Sequence, residues 1–124
     1  MLFRSELLPE DTFAQAKIDE WMFWEQYSHE PYITVSRFQM RYQGRKSSER
    51  DDWRVERGEW ALDYMNSQLE SRQWLVGDRF SIADIALVAY TRVAHEGGFD
   101  LASRLEVKAW VKRCEAEFGI ASDT

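Results

Sequence analysis

Few residues in this chain have the types and spacing that chemistry requires. The two histidines, His29 and His95, lie far apart, and neither is accompanied by a Cys or carboxylate cluster. Metal ligation needs such a convergence, so each is expected to be structural or surface, with no metal. The single cysteine, Cys114, falls on an apolar helical face with no adjacent His. It reads as a buried small residue rather than a nucleophile. No Gly-rich phosphate loop and no G-x-S-x-G occurs. What remains is the polar-aromatic patch of Phe23, Tyr27 and Glu30. It could border an apolar ligand site, or its members could simply pack and face solvent. No set of residues supplies a reaction centre on its own.

The patch belongs to a segment of helical periodicity running from about Asp11 to Gln43. On a helical wheel Gln15, Asp19, Gln26 and Glu30 form a narrow polar strip. Phe13, Ile18, Trp21, Met22, Phe23, Trp24, Tyr27 and Tyr32 wrap much of the rest. A surface helix of a small bundle needs a narrower apolar stripe. Two readings fit: a thick aromatic core, or a second domain, subunit or ligand covering part of this helix. Pro31 lies inside the pattern, where its ring opposes the carbonyl of Tyr27 and predicts a kink.

Three further helices are expected. One runs from about Ser48 to Ser71, with Ser48-x-x-Asp51 as a weak capping box and an apolar set of Trp53, Trp60, Ala61, Tyr64, Met65 and Leu69. Gly58 within it costs roughly 1 kcal/mol relative to Ala and would permit close approach of a neighbour. A connector, 73–80, turns at Gly77-Asp78. The third helix spans about 81–96 and stops at Gly97-Gly98. A short turn near Asp100 precedes a last helix, which begins at Ser103-x-x-Glu106 and carries Leu105, Val107, Trp110, Val111, Cys114 and Phe118.

The third helix opens on the stretch GDRFSIAD. Ser81 and Asp84 have capping-box spacing, and Phe80 and Ile85 occupy hydrophobic-staple positions. Its first nine residues are apolar except Asp84, which predicts a central helix buried on all sides. A buried N-terminus must satisfy its orphan amides internally.

Composition narrows the class. A chain of 124 residues suits one domain. Its net charge of −6, without a Lys/Arg-rich run, argues against nucleic acid as a partner. The apolar run from Ile85 to Tyr90 is too short to span a bilayer. No signal-peptide core stands at the start, and a cytoplasmic protein fits the cysteine usage.

The stretch QWLVGDRFSIADIALVAY resembles the signature of the C-terminal helical domain of the glutathione S-transferase family, with Phe80, Ser81, Asp84 and Ile85 on its capping box and staple. AKIDEWMFWEQYSHEPY is similar to the long first helix of that domain, and VKAWVKRCEAEFG to its final A-W-x-x-R segment. The W-x-F-W of the first helix looks like that of bacterial members. The resemblance implies an all-α bundle of four main helices plus a short turn over residues 10–124, with residues 1–9 as the end of an interdomain linker. It further implies a thioredoxin-like domain, missing here, that binds glutathione as co-substrate and holds the catalytic residue, and a parent that acts on a hydrophobic electrophile and forms a homodimer. This chain alone is then expected to be inactive. It would contribute Phe23, Tyr27 and Glu30 to the hydrophobic-substrate side of the cleft, and part of the domain and subunit interface. The alternative is a stand-alone, non-catalytic interaction module of the same fold.

Overall fold

Helical periodicity becomes helix over most of the chain. A computed structural model describes residues 7–119, among which there is no strand. The expected linker, residues 1–9, falls mainly outside the described residues; Leu7 and Leu8 pack against the core.

The first long helix is one run in three geometries. Helix α1, Thr12–Trp24, starts at Asp11, whose carboxylate accepts the Ala14 amide at 3.0 Å. From Glu25 to Thr34 the chain winds as a π-helix containing Pro31, and α2, Val35–Arg41, resumes the α form. The wider π turn lets the helix continue through a residue that cannot donate. The Pro31 carbonyl accepts from the Arg54 guanidinium of the next helix.

Helix α3, Asp52–Gln68, begins later than expected. The Ser48-x-x-Asp51 box does not form: Asp51 is the N-cap but its side chain makes no cap bond, and Ser47–Glu49 is a 3-10 turn in which Glu49 Oε1 accepts the Lys46 amide at 2.8 Å. Gly58 allows the expected close approach. A Cβ there would lie 2.5 Å from the ring of Phe99 and 3.2 Å from Ile33, both fully buried.

Helix α4, Ile82–Thr91, is shorter than expected. Thr91 Oγ1 donates back to the Leu87 carbonyl at 2.6 Å, a bond that loosens a helix end. A 3-10 turn, Ala94–Gly97, follows, and Gly98 closes it at φ +83°. Helix α2 lies on this turn, where a Cβ on Gly97 would stand 2.8 Å from the Arg37 amide nitrogen. Arg37 pairs with Glu96 at 2.6 Å.

Helix α5, Leu105–Phe118, does not use the Ser103-x-x-Glu106 box. Its N-cap is Arg104, and the amides of Glu106 and Val107 donate to Asn66 Oδ1 of α3 at 3.0 and 3.1 Å. A neighbouring helix thus caps it. Arg104 is buried against Glu59 and Asp63 of α3 and donates to the Asp100 carbonyl.

Candidate functional site

Helix α4 positions the site, and its N-terminus is tied down from three directions. Ser81 Oγ accepts the Ala83 amide at 3.3 Å and completes the capping box with Asp84, whose Oδ2 accepts the Ser81 amide at 2.9 Å. Asp84 Oδ1 accepts the Leu75 amide at 3.0 Å and Trp110 Nε1–H at 2.8 Å. One carboxylate therefore joins α4 to the connector and to α5. Burial pushes the Asp84 carboxyl above its usual range, against the pull of these donors. Phe80 is buried, and Ile85 packs against the same core.

One side of α4 remains open, which corrects the expectation of burial all round. Ala83, Asp84, Leu87, Val88 and Thr91 face the core, while Ile82, Ala89 and Tyr90 are exposed. With the half-buried Ile85 and Ala86, these make an apolar stripe at helical spacing. A cleft flanks the stripe on each side. One, of about 310 Å³, is lined by Asp19, Met22, Phe23, Glu25 and Gln26 of the first helical run and Ala86 of α4. The other, of about 420 Å³, lies toward α5 between Ile85, Ala89 and Phe118. There Arg92 Nε pairs with Glu115 Oε2 at 3.1 Å.

The three proposed site residues are not brought together equally. Phe23 lines the cleft beside α4. Tyr27 and Glu30 are in the π stretch and do not appear in the lining of the described clefts. Phe23 and Tyr27 are 66 % and 74 % exposed, and Phe13 is exposed as well. The thick-core reading therefore fails for these three rings, while Ile18 and Trp21 do enter the core. Trp53 and Trp60, members of the apolar set on α3, are 51 % and 58 % exposed. Their spacing of seven residues sets them on one outer face of that helix.

Two groups shape this region: Glu25, which sequence reading missed, and His29, which it expected to be structural or surface. Glu25 is only 9 % exposed, and among the described residues its one hydrogen-bond donor is Gln26 Nε2, at 3.3 and 3.4 Å from its two oxygens. No cation pairs with it among the described residues. Burial, then the charge of Glu30, pushes its carboxyl above the usual range. His29 is fully buried, with Nε2 at 2.8 Å from Thr91 Oγ1. Because that hydroxyl already donates to Leu87, it accepts here, so Nε2 carries the proton and Nδ1 is bare. Among the described residues Nδ1 has no partner, and burial lowers the imidazole from 6.5 to about 4. The signal for both was their type inside an otherwise apolar wheel position, which spacing alone did not single out.

Cys114 is buried, and its thiol is driven well upward by that burial and by the charge of Asp84. It is therefore not a ready thiolate. Among the described residues no three His, Cys, Asp or Glu side chains stand close enough to share a metal ion. No described helix is long and apolar enough to cross a membrane.

A family model described as "Glutathione S-transferase, C-terminal domain" matches residues 23–117. The chain belongs to the glutathione S-transferase family. Its helical fold is that of the family's C-terminal domain. A glutathione S-transferase from Xanthobacter autotrophicus Py2 is 43 % identical with a TM-score of 0.83, over 93 % of this chain and 57 % of its own. One from Pseudomonas fluorescens is 45 % identical with a TM-score of 0.84, over 90 % of this chain and 56 % of its own. Glutathione S-transferase D7 of Anopheles gambiae is 35 % identical over 57 residues, which are 46 % of this chain and 26 % of that protein. The glutathione transferase domain described here thus spans little more than half the length of its bacterial relatives.

Proposed function

We propose that this chain serves as the helical half of a glutathione transferase-like protein, supplying the hydrophobic-substrate side of its cleft and part of its domain and subunit interfaces. The observation that carries this reading is the open apolar stripe Ile82, Ile85, Ala86, Ala89 and Tyr90 on α4, with Phe23 beside it. A soluble monomer rarely leaves so continuous an apolar surface uncovered, and a thioredoxin-like domain is the cover proposed. Tyr27 and Glu30 extend the substrate side along the π stretch. The exposed pair Trp53 and Trp60 supports a subunit contact through the outer face of α3, as in a homodimer.

On this reading glutathione is held mainly by the other half. The cleft at Phe23 is lined by the carboxyl side chains Asp19 and Glu25 and by no cation, which leaves the two carboxylates of the tripeptide without a pairing charge there. The conjugating or reducing chemistry then belongs to the other half.

A neutral solvatochromic dye tests the stripe. The 124-residue chain is expected to enhance dye emission, and Phe23→Ala and Tyr90→Ser each to reduce it with unchanged circular dichroism. Emission untouched by both substitutions would remove the support for an open ligand-side face.

A further inference from the structure

The cleft between α1 and α4 is two-faced in its chemistry. Met22, Phe23 and Ala86 give it an apolar wall, and Asp19, Glu25 and Gln26 a polar one. Asp19, Met22, Phe23 and Gln26 follow helical spacing, so they share one face of the first helical run. Glu25 closes that wall as the most deeply buried of its polar groups.

Glu25 is the unusual member. Carboxylates are seldom buried unless a cation, several strong donors or a metal compensates them. Here the single amide of Gln26 reaches both oxygens at 3.3 and 3.4 Å, which is long for N–H···O. An ionised carboxylate has about four acceptor sites, of which the described residues fill two. The surroundings add like charge rather than opposite charge, since Glu30 acts on Glu25 through space and Asp19 shares the cleft.

We propose that this cleft takes an apolar molecule bearing a protonated amine, with the ammonium on Glu25 and the apolar body against Met22, Phe23 and Ala86. The inference rests on the reading that the Phe23 face is the ligand side, and it names the class of ligand that face prefers. A neutral ligand gains only burial there. A cation gains burial and the field of Glu25, Asp19 and Glu30 together, and offers Glu25 charge-assisted hydrogen bonds. An anion is opposed by the same field. The cleft volume of about 310 Å³ lies at the small end of ligand pockets, which suits one or two fused rings.

The probes are naphthylmethylamine, naphthylmethanol and naphthoate, titrated into the 124-residue chain at about pH 8, where the amine is protonated and carboxyl groups are ionised. Amide chemical shifts of Phe23 and Ala86 report the cleft. The amine is expected to bind about tenfold tighter than the alcohol, with naphthoate weakest. Glu25→Gln should bring the amine down to the level of the alcohol and leave the alcohol unchanged, and Asp19→Asn should remove a smaller part of the preference. Should Glu25→Gln fail to fold, the order of the three probes on the unsubstituted chain decides.

Equal binding of amine and alcohol, or a preference that survives Glu25→Gln, overturns the inference. In that event the alcohol still perturbs Phe23 and the ligand-side reading stands, with a Lys or Arg of a docked protein segment as the cation for Glu25. If no probe perturbs the cleft, the ligand-side reading and the inference fall together.

Discussion

Trp110 of the last helix donates its indole N–H to Asp84 of the central helix at 2.8 Å. The two are 26 positions apart, and both are fully buried. The bond turns a local capping device into a tertiary lock, because the same carboxylate also caps its own helix and holds the Leu75 amide. Removing the donor leaves a buried carboxylate short of a partner, so Trp110→Phe should destabilise by about 1–3 kcal/mol. A urea melt that matches the unsubstituted chain would show the bond to be dispensable.

The two halves of the capping box should differ in weight. Ser81→Ala removes a local cap and is expected to cost about 1 kcal/mol. Asp84→Ala strips donors in three segments of their acceptor and should cost at least about 3 kcal/mol. Because the side chains bond reciprocally, the double substitution should fall short of the sum. Equal single losses, or strict additivity, would contradict the lock.

Acid stability should carry the mark of His29. In the unfolded chain its imidazole takes up a proton near the ordinary 6.5, but in the native protein only at about 4. Above 6.5 the group has no effect. As pH falls between those values the unfolded state binds the extra proton, so stability declines, by up to about 1.4 kcal/mol per pH unit from this group. Below about 4 the decline from His29 ends. Glu25 and Asp84, both raised, act in the opposite sense: they hold protons more tightly when native, and their effect opposes folding as pH rises. Subtracting the pH–stability curve of His29→Gln from that of the unsubstituted chain isolates the term. A flat difference from pH 7 to 4 would mean that His29 is not held neutral.

Gly58 should be irreplaceable for steric reasons. Helix propensity alone favours Ala there by about 1 kcal/mol. The Cβ would nevertheless meet the Phe99 ring at 2.5 and 2.6 Å, and Phe99 is fully buried. Gly58→Ala is expected to destabilise by about 1–3 kcal/mol. Phe99→Leu should cost less in the Gly58→Ala background than alone, which a double-mutant cycle in denaturant measures.

The chain alone should show no glutathione conjugation to a generic aryl halide and no glutathione binding in a calorimetric titration. Cys114 is buried with its thiol pushed up, and the cleft lining is acidic. Tight glutathione binding by these 124 residues would end the half-protein reading of the domain.

Much of the fold was legible in the order of residues. Helical spacing gave four main helices, and the Ser81–Asp84 and Phe80–Ile85 pairs marked the start of the central one, because caps and staples act within one turn and are written within one turn. Gly58 likewise announced a close approach without naming the ring that makes it. Where a signal was local but a longer-range partner competed, the reading failed: Asn66 reaches across from α3 to cap α5, so Ser103 is not used. The π winding around Pro31 replaced a simple kink, and the Thr91 back-bond ended α4 early. Hydropathy could say that the first helix carried more apolar surface than a small bundle hides, but it read α4 as buried all round and could not tell which side would stay open. That was settled by packing: Trp21 and Ile18 turned inward, while Phe23, Tyr27, Ile82 and Tyr90 were left outside. The lone carboxylate of Glu25 and the bare nitrogen of His29 were decided at the same level, since a side chain's partners depend on neighbours brought by other elements, and spacing along the chain does not specify them.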